Sequence, residues 1–180
     1  MRVIAGDFRS RRLKSLPGMG LRPTPDRLRE TLFDVLAPVV PGSVFLDAYA
    51  GSGAVGIEAL SRGAARCVFI EKSRAAVSVI HENLEALGLE ERAVVVHGAV
   101  SNKVALHPCD VAFLDPPYDL EREYSVALHA LGLAPPRLVV AQHSVRAKLR
   151  DEYDGLRRVR VLKQGDNALS FYEPAGPPAC

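Results

Sequence analysis

The sequence has few cysteines and no long apolar run, and each absence excludes a class of protein. Its three cysteines are an odd number and lack the paired spacing of a metal site, so they are expected to be free thiols in a reducing cytoplasm. No stretch of about eighteen apolar residues is present, which excludes a membrane-spanning helix. The polar, basic N-terminus lacks the apolar core of a secretory signal. The five histidines are scattered outside metal-binding spacings, so no metal ion is expected.

The length and composition are those of one globular domain. A chain of 180 residues, of which 48% are hydrophobic, can bury a substantial core. Residues 25–173 are expected to form this domain. Residues 174–180 are rich in Pro, Gly and Ala and are predicted to be a disordered tail. We expect a cytoplasmic protein that is a monomer and has no membrane partner.

Positive charge is concentrated at one end of the chain. Residues 1–30 carry eight basic and three acidic side chains, a net charge of +5, whereas the other 150 residues carry 15 basic and 18 acidic ones, a net charge of −3. Arginine dominates the basic group, which favours phosphate recognition over general solubility. Residues 1–24 are therefore predicted to be a basic arm that binds phosphates, with an arm that only meets solvent as the alternative.

The N-terminal region is predicted to contain a β-hairpin and a helix. Residues 2–6 and 11–14 flank a turn at Gly6-Asp7 and are predicted to pair as a basic hairpin. Thr24 followed by Pro25 is a typical helix start, because Thr is a good N-cap and Pro is favoured in the first turn. Apolar residues then recur at helical spacing until the prolines that follow residue 36.

From residue 43 onward, apolar strands alternate with helices. This alternation indicates an α/β fold with a mostly parallel, seven-stranded sheet and helices on both faces. The strands are predicted at 43–47, 65–71, 93–97, 110–114, 137–141, 159–162 and 169–172. The helices are predicted at 55–62, 73–88, 121–131 and 145–153.

The tetrapeptide Asp115-Pro116-Pro117-Tyr118 follows an apolar run that is typical of a buried strand. The two prolines make the turn stiff. Asp115 can accept a hydrogen bond from an amino group, and Tyr118 offers a ring on which a base can stack. We interpret these residues as a clamp for a flat heterocycle that carries an exocyclic amine. An ordinary Pro-Pro turn after a strand is the alternative.

A glycine-rich segment follows the first strand of the predicted sheet. Gly51, Gly53 and Gly56 have GxGxxG spacing, and Glu71 lies twenty residues after Gly51. This is the dinucleotide fingerprint, and a dinucleotide-binding protein is the rival interpretation. However, Asp47 at the end of the strand is unfavourable beside an anionic pyrophosphate. S-adenosylmethionine, which carries a sulfonium and an ammonium but no phosphate, fits this position better.

Both motifs lie at the carboxyl ends of parallel strands, where open α/β sheets bind ligands. Gly51 and Gly53 allow the backbone to approach a ligand closely. Glu71 can accept hydrogen bonds from both hydroxyls of a ribose. The clamp at Asp115 has no use in hydride transfer but suits an amino-methyltransferase, which favours S-adenosylmethionine over NAD.

Longer segments of the chain resemble one family. Residues 47–53, Glu71 and residues 115–118 resemble the class I S-adenosylmethionine-dependent methyltransferases that modify exocyclic amines. Residues 22–33, which begin Arg-Pro-Thr, and residues 50–64 resemble two signatures of the RsmD family. The resemblance covers almost the whole chain, from residue 2 to about residue 172.

The resemblance implies a Rossmann-like methyltransferase fold and transfer of a methyl group from S-adenosylmethionine to the exocyclic N2 amine of a guanine in bacterial 16S ribosomal RNA. The partner would be this RNA or the small ribosomal subunit. The expected catalytic residues are Asp115, Pro116, Pro117 and Tyr118. The expected cofactor-binding residues are Asp47, Tyr49, Gly51, Gly53, Glu71, Lys72 and Ala99. The residues expected to hold RNA phosphates are Arg9, Arg11, Arg12, Lys14, Arg22 and Arg27, with Arg29 beside them.

The chain departs from the family pattern at three places. Tyr49 stands where the family more often has Phe. Residues 97–102 lack an acid that would read the adenine amino group, so backbone groups or Asn102 are the candidates for this contact. Gln142 stands where an acid is expected, and no role is assigned to it. An amino-methyltransferase acting on DNA or on another RNA remains an alternative, as does a nucleotide-binding protein without this chemistry.

Overall fold

One β-sheet forms the centre of the structure, a computed structural model that describes residues 1–16, 26–117 and 121–176. Its strands are β1 (Val44–Ala48), β2 (Arg66–Glu71), β3 (Ala93–His97), β4 (Val111–Leu114), β5 (Leu138–Ser144), β6 (Glu152–Tyr153), β7 (Leu156–Gln164) and β8 (Asn167–Pro174). They lie in the order β3-β2-β1-β4-β5-β8-β7-β6. Strands β1 to β5 pair in parallel, and β8, β7 and β6 add antiparallel pairs. The predicted mostly parallel α/β sheet is confirmed, with eight strands among the described residues instead of seven.

The parallel strands end at one edge of the sheet, which we call the carboxyl edge. Ala48 at the end of β1 lies beside Ile70 of β2 and Leu114 of β4. The residues that follow β1, β2 and β4 are therefore neighbours. This register brings the glycine-rich segment and the Asp115 segment to the same place, as the sequence predicts.

Five α-helices are described, and they cover both faces of the sheet. They are α1 (Asp26–Leu36), α2 (Ala54–Ser61), α3 (Arg74–Leu87), α4 (Val100–Lys103) and α5 (Glu121–Gly132). Ser73 caps α3 by accepting a hydrogen bond from the N–H of Ala76, and Gly88 ends it with φ 64°. Thr24 and Pro25, the predicted start of α1, lie outside the described residues.

Two apolar clusters hold the layers together. One joins the N-terminal arm, α1, α2 and α3 to one face of the sheet, and the other joins α4, α5 and residues 149–156 to the opposite face. Aromatic rings are buried in both, with Phe33 stacked on Phe45 in the first and Tyr153 edge-to-face with Tyr172 in the second. Because helices cover both faces, ligand access is left at the carboxyl edge.

The helix predicted at 145–153 is wrong. Residues 145–146 form a turn, residues 147–150 have no regular secondary structure, and Glu152–Tyr153 is strand β6. The apolar residues Val145, Leu149 and Tyr153 repeat every four positions and imitate a helix. Their segment is instead bound to its surroundings, since the N–H of Val145 donates to Asp166 and the N–H of Arg150 to the Tyr153 hydroxyl.

The predicted N-terminal hairpin is present but short. Its arms meet in one antiparallel bridge between Arg2 and Arg12, and the N–H groups of Val3 and Ser10 donate to Arg11 and Val3. At the other end of the chain, β8 continues through Pro174, the first residue of the predicted tail, and residues 177–180 lie outside the described part. No helix in the described ranges is long and apolar enough to cross a membrane.

Candidate active site and nucleic-acid interface

The loop that follows β1, residues 49–53, is here called the glycine loop. Buried Asp47, which precedes it, fixes the position at which the loop enters α2. The Oδ2 atom of Asp47 accepts a hydrogen bond of 2.8 Å from the backbone N–H of Gly56 in the first turn of α2. A carboxylate at the amino end of a helix interacts favourably with the helix dipole. Asp47 therefore ties the end of β1 to the start of α2.

Glu71, at the end of β2, shapes the glycine loop from the neighbouring strand. Its Oε2 accepts a hydrogen bond of 2.9 Å from the N–H of Gly51, and its Oε1 accepts one of 2.8 Å from the N–H of Ser73. An ionised carboxylate has about four acceptor positions. Two of them therefore remain for hydroxyl groups of a ligand.

Glycine is required at positions of this region for different structural reasons. Gly51 and Gly53 have φ of 56° and 79°, a left-handed conformation that disfavours other residues. A Cβ on Gly56 would lie 2.3 Å from the Phe69 ring, so α2 packs directly against β2. A Cβ on Gly51 would meet no atom within 4 Å. The outer side of the loop at Gly51 thus has room for a ligand.

Tyr49 connects the glycine loop to the helix beyond Asp115. It is a non-glycine residue with φ 66°. Its hydroxyl donates a hydrogen bond of 2.9 Å to the carboxylate of Glu123 in α5. Burial, with added effects from this contact, raises the pKa of Tyr49 well above its ordinary value, so the hydroxyl stays protonated.

Lys72 and Ala99 lie beside Glu71 at the ends of β2 and β3. Lys72 is exposed, and its carbonyl accepts a hydrogen bond of 3.0 Å from Nε2 of His97. The N–H of Gly98 donates to the carbonyl of Glu71 over 3.0 Å, which brings exposed Ala99 next to the end of β2. The structure therefore brings all the predicted cofactor-binding residues to neighbouring strand ends.

The loop that follows β4, residues 115–117, is here called the proline loop. Leu114 lies between Ala48 of β1 and Ala141 of β5, which places Asp115 just beyond the end of β1 and beside Gln142 of β5. The amide Nε2 of Gln142 donates to Oδ2 of Asp115 over 3.3 Å. Asp115 is half-buried. Tyr118, the fourth residue of the predicted clamp, lies outside the described residues.

Gln142 is itself held in place within the sheet. Its side chain is buried, and its backbone carbonyl accepts a hydrogen bond of 2.8 Å from the hydroxyl of Tyr124 in α5. Next along β5, His143 contacts Ser144 and Ser170. No role is predicted for Gln142 from the sequence. The contact of Gln142 with Asp115 shows that this side chain supports the proline loop.

The carboxyl edge carries negative charge. Burial raises the pKa of Asp47 well above its ordinary value, and the carboxylates of Asp115 and Glu71 raise it further. A cation at this edge would be attracted, whereas a pyrophosphate would be repelled. No group of His, Cys, Asp and Glu in the described ranges is arranged to hold a metal ion.

The N-terminal arm is bound to α2 through two buried polar residues. The carboxylate of Glu58 accepts hydrogen bonds from the N–H groups of Ile4 (2.8 Å) and Ala5 (3.0 Å). Ser61 exchanges bonds with the arm, donating to Ala5 and accepting from the N–H of Phe8. The arm is therefore part of the folded domain and does not simply extend into solvent.

Asn83 of α3 joins the arm to the glycine loop. Its Oδ1 accepts a hydrogen bond of 2.7 Å from the N–H of Lys14, and its Nδ2 donates to the carbonyls of Lys14 (3.1 Å) and Ser52 (3.0 Å). Asn83 is buried. The side chain of Asn83 thus bridges the backbone of the arm and the backbone of the glycine loop.

Most of the predicted RNA-binding residues are exposed. Arg9, Arg11 and Arg12 project from the arm, and Arg27 is exposed on α1. Lys14 is also exposed, but its Nζ forms an ion pair of 2.7 Å with Glu82. Arg22 lies outside the described residues.

Arg29 cannot be a surface contact for RNA, which corrects the expectation from the sequence. Its side chain has no exposed surface, and it donates hydrogen bonds to the carbonyl of Arg2 and the carboxylate of Asp26. It lies on the apolar side of α1, between Leu28 and Leu32. Arg29 therefore anchors the arm to α1.

Sequence reasoning missed the residues that anchor the arm. Glu58 and Ser61 are polar residues in a helix whose every residue is buried. Asn83 is buried among the apolar residues of α3. A polar residue on the buried face of a helix usually has a specific partner, and this signal could have identified all three.

Comparisons with known proteins agree with this geometry. The family model described as "Conserved hypothetical protein 95" matches residues 1–173. A Bacillus subtilis protein named "Putative rRNA methyltransferase YlbH" is 32% identical over 98% of this chain and 100% of that protein. "Ribosomal RNA small subunit methyltransferase D" of Escherichia coli is 44% identical over 66% of this chain and 60% of that protein.

A solved structure has the same architecture. "Putative methyltransferase yhhF from Escherichia coli" superposes with a TM-score of 0.82 and 34% identity, covering 97% of each chain. The family match spans the arm, the glycine loop and the proline loop together. This chain belongs to that family, the RsmD family of S-adenosylmethionine-dependent methyltransferases.

Proposed function

We propose that this protein transfers a methyl group from S-adenosylmethionine to the exocyclic N2 amine of a guanine in bacterial 16S ribosomal RNA. The observation that carries the proposal is the placement of Asp115 beside the glycine loop, with Leu114 and Ala48 paired in the sheet. A hydrogen-bond acceptor for an amine and a loop that would bind a nucleoside then meet at the carboxyl edge of the sheet. The relatives named as ribosomal RNA methyltransferases support the choice of RNA.

The cofactor would be held at the ends of β1, β2 and β3. Glu71 would accept the ribose hydroxyls with the acceptor positions left by Gly51 and Ser73. The negative charges of Asp115 and Glu71 would favour a cation at this edge. Lys72 and Ala99 would line the side of the pocket. When bound, S-adenosylmethionine supplies an electrophilic methyl group.

The proline loop would position the amine. The lone pair of a guanine amino nitrogen is delocalised into the ring, which makes it a weak nucleophile. Asp115 and the carbonyl of Pro116 would accept the amino hydrogens and direct the lone pair towards the methyl donor. Pro117 keeps the loop stiff, and Tyr118 would stack on the base after it leaves its own stack. The rate would come mainly from positioning.

The arm would hold the RNA backbone next to the pocket. Arg9, Arg11, Arg12 and Arg27 are exposed and can approach phosphates. Lys14 would have to exchange its partner Glu82 for a phosphate. These contacts would supply affinity and orientation and not base identity. We place the protein in the cytoplasm as a monomer, with residues 1–24 as the RNA arm and 25–173 as the methyltransferase domain.

Label transfer tests the proposal. The purified protein is incubated with radiolabelled S-adenosylmethionine and either small subunits or protein-free 16S RNA from cells that lack the endogenous enzyme, with genomic DNA in parallel. The proposal expects label in ribosomal RNA. Label only in DNA would contradict it and favour a DNA amino-methyltransferase. Binding of NAD in place of S-adenosylmethionine would contradict the cofactor assignment as well.

A further inference from the structure

The C-terminal hairpin carries positive charge of its own. Residues 145–164 contain seven basic and three acidic side chains, a net charge of +4, although residues 31–180 together carry −3. A second basic region therefore lies within an otherwise acidic part of the chain. It comprises the turn after β5, strand β6 and strand β7.

At the start of β7, the basic residues have acidic neighbours. Arg157 lies opposite Glu152 of β6 and Glu173 of β8. Arg158 forms an ion pair with Asp151. Opposite charges on adjacent strands stabilise the sheet. The charge at this end of the hairpin is thus neutralised locally.

Towards the other end of β7, the basic residues have apolar neighbours. Arg160 lies opposite Phe171, with its guanidinium carbon 5.8 Å from the ring centroid. Lys163 lies opposite Ala168. Both side chains are exposed, and within the described ranges neither forms an ion pair. Their charge is available to a partner outside the protein.

This end of β7 reaches the carboxyl edge. Lys163, Ala168 and His143 lie side by side across β7, β8 and β5. His143 follows Gln142, which contacts Asp115. Three strand spacings separate β7 from β4, or about 14 Å at the usual spacing of ~4.8 Å.

Arg146 lies at the same edge. The N–H of the preceding Val145 donates to the carbonyl of Asp166 in the turn between β7 and β8. Arg146 is exposed, and within the described part of the chain it has no ion pair. Arg146 and Lys163 therefore lie beside this turn, and we call these two residues the C-terminal basic strip. Arg160, three residues before Lys163, lies on the opposite face of the sheet beside Phe171 and is not part of the strip.

We propose that the C-terminal basic strip binds phosphates of the ribosomal RNA on the side of the proline loop opposite to the N-terminal arm. The arm is bound to α2 and α3, on the half of the sheet formed by β1, β2 and β3. The strip lies on the other half, beyond β5 and β8. Positive charge would then flank the proline loop on both sides, and the RNA backbone would be fixed at two places.

Charge reversal with a matched control tests this inference, which rests on the proposed function. The test variant is Arg146→Glu with Lys163→Glu. The control is Arg66→Glu with Arg137→Glu, which makes the same charge change. Arg66 starts β2 and Arg137 precedes β5, so both exposed residues lie at the edge of the sheet opposite to the carboxyl edge. Arg11→Glu with Arg12→Glu in the arm serves as a reference for loss of RNA binding.

Affinity for protein-free 16S RNA is measured from 50 to 200 mM salt with S-adenosylhomocysteine bound. The strip variant is expected to bind at least about fivefold more weakly than the control. Its plot of log affinity against log salt should be shallower by about 1.5, because each phosphate contact contributes roughly 0.7 to 0.9. Affinity for S-adenosylhomocysteine should be unchanged in all variants, which shows that they are folded.

Equal RNA affinity and salt slope in the strip and control variants would overturn the inference. A loss with assembled small subunits but none with protein-free RNA would also overturn it, because the partner would then be a ribosomal protein. Label transfer by the unaltered protein separates the two proposals. If that protein methylates ribosomal RNA while the strip variant binds normally, only the strip assignment fails.

Discussion

The two loops that meet at the carboxyl edge are held in opposite ways. The backbone of the glycine loop is bound by side chains of other elements, since Glu71 accepts from Gly51 and Asn83 donates to Ser52. In the proline loop, two rings restrict the backbone, and Gln142 contacts the carboxylate of Asp115. Side chains of other elements therefore shape the first loop, whereas the second carries a half-buried carboxylate. On the proposed function, this difference would separate cofactor binding from handling of the amine.

The largest expected effect separates these two functions. Asp115→Ala should lower the rate of methyl transfer by about 10²-fold or more, because a misplacement of the amine by about 1 Å is enough to cost this factor. The affinity for S-adenosylhomocysteine should stay within about twofold, because the glycine loop is untouched. Single-turnover rates and calorimetry measure the two quantities. Asp115→Asn is the isosteric companion, and full turnover in Asp115→Ala would remove the amine clamp from the account.

Glu71→Ala should produce the complementary result. Loss of one charged hydrogen bond to the ribose should weaken S-adenosylmethionine binding by roughly 10- to 100-fold, since such a bond is worth about 1.5 to 3 kcal/mol. Calorimetry measures this affinity, with exposed Glu91→Ala as the control. If the cofactor binds Glu71→Ala as tightly as the unaltered protein, Glu71 does not contact it.

The free energy of unfolding is expected to depend on pH through His143, which lies in β5 near the proline loop. The Nδ1 of buried His143 donates to the Ser144 carbonyl, and its Nε2 lies 2.8 Å from the Ser170 hydroxyl, which can donate to the neutral ring. Burial lowers the pKa of His143 below its ordinary value. The unfolded chain therefore takes up a proton first as the pH falls below about 6.5, and the free energy of unfolding decreases until the folded pKa is passed.

Denaturant unfolding between pH 7.5 and 5 measures this decrease. His143→Gln should lose part of the pH dependence, while His81→Gln, at an exposed position, should retain it. Identical pH profiles for His143→Gln and the unaltered protein would show that His143 does not cause the effect.

The smallest expected effect concerns the contact that links the glycine loop to α5. Tyr49→Phe removes the hydrogen bond to Glu123 and should cost about 1 kcal/mol of unfolding free energy. A double-mutant cycle with Glu123→Ala isolates this contact. Additive effects of the two substitutions would mean that the hydroxyl does not couple the glycine loop to α5.

The sequence predicts the parallel part of the sheet and the location of the site. The apolar runs of β1, β2 and β4 are continuous, so their carboxyl ends can be aligned without knowledge of side-chain contacts. This alignment is enough to bring Asp47, Glu71 and Asp115 to one edge. Their chemical roles remain predictions.

The contacts between distant segments could not be predicted in the same way. The segment 145–153 has the apolar spacing of a helix, but the hairpin and the Tyr153 hydroxyl accept its backbone N–H groups. The positive charge of Arg29 is typical of an RNA contact, but the residue is buried under the arm. In both cases, the deciding partner is a long-range one that local periodicity and charge do not reveal.

The position of the transferred methyl group tests the central claim most directly. Ribosomal RNA methylated by this protein is digested to nucleosides and analysed by mass spectrometry and chromatography against standards. We predict 2-methylguanosine, because the proposed function assigns Asp115 and the proline loop to an exocyclic amine. A methyl group on a ring nitrogen, a ring carbon or the ribose would contradict it.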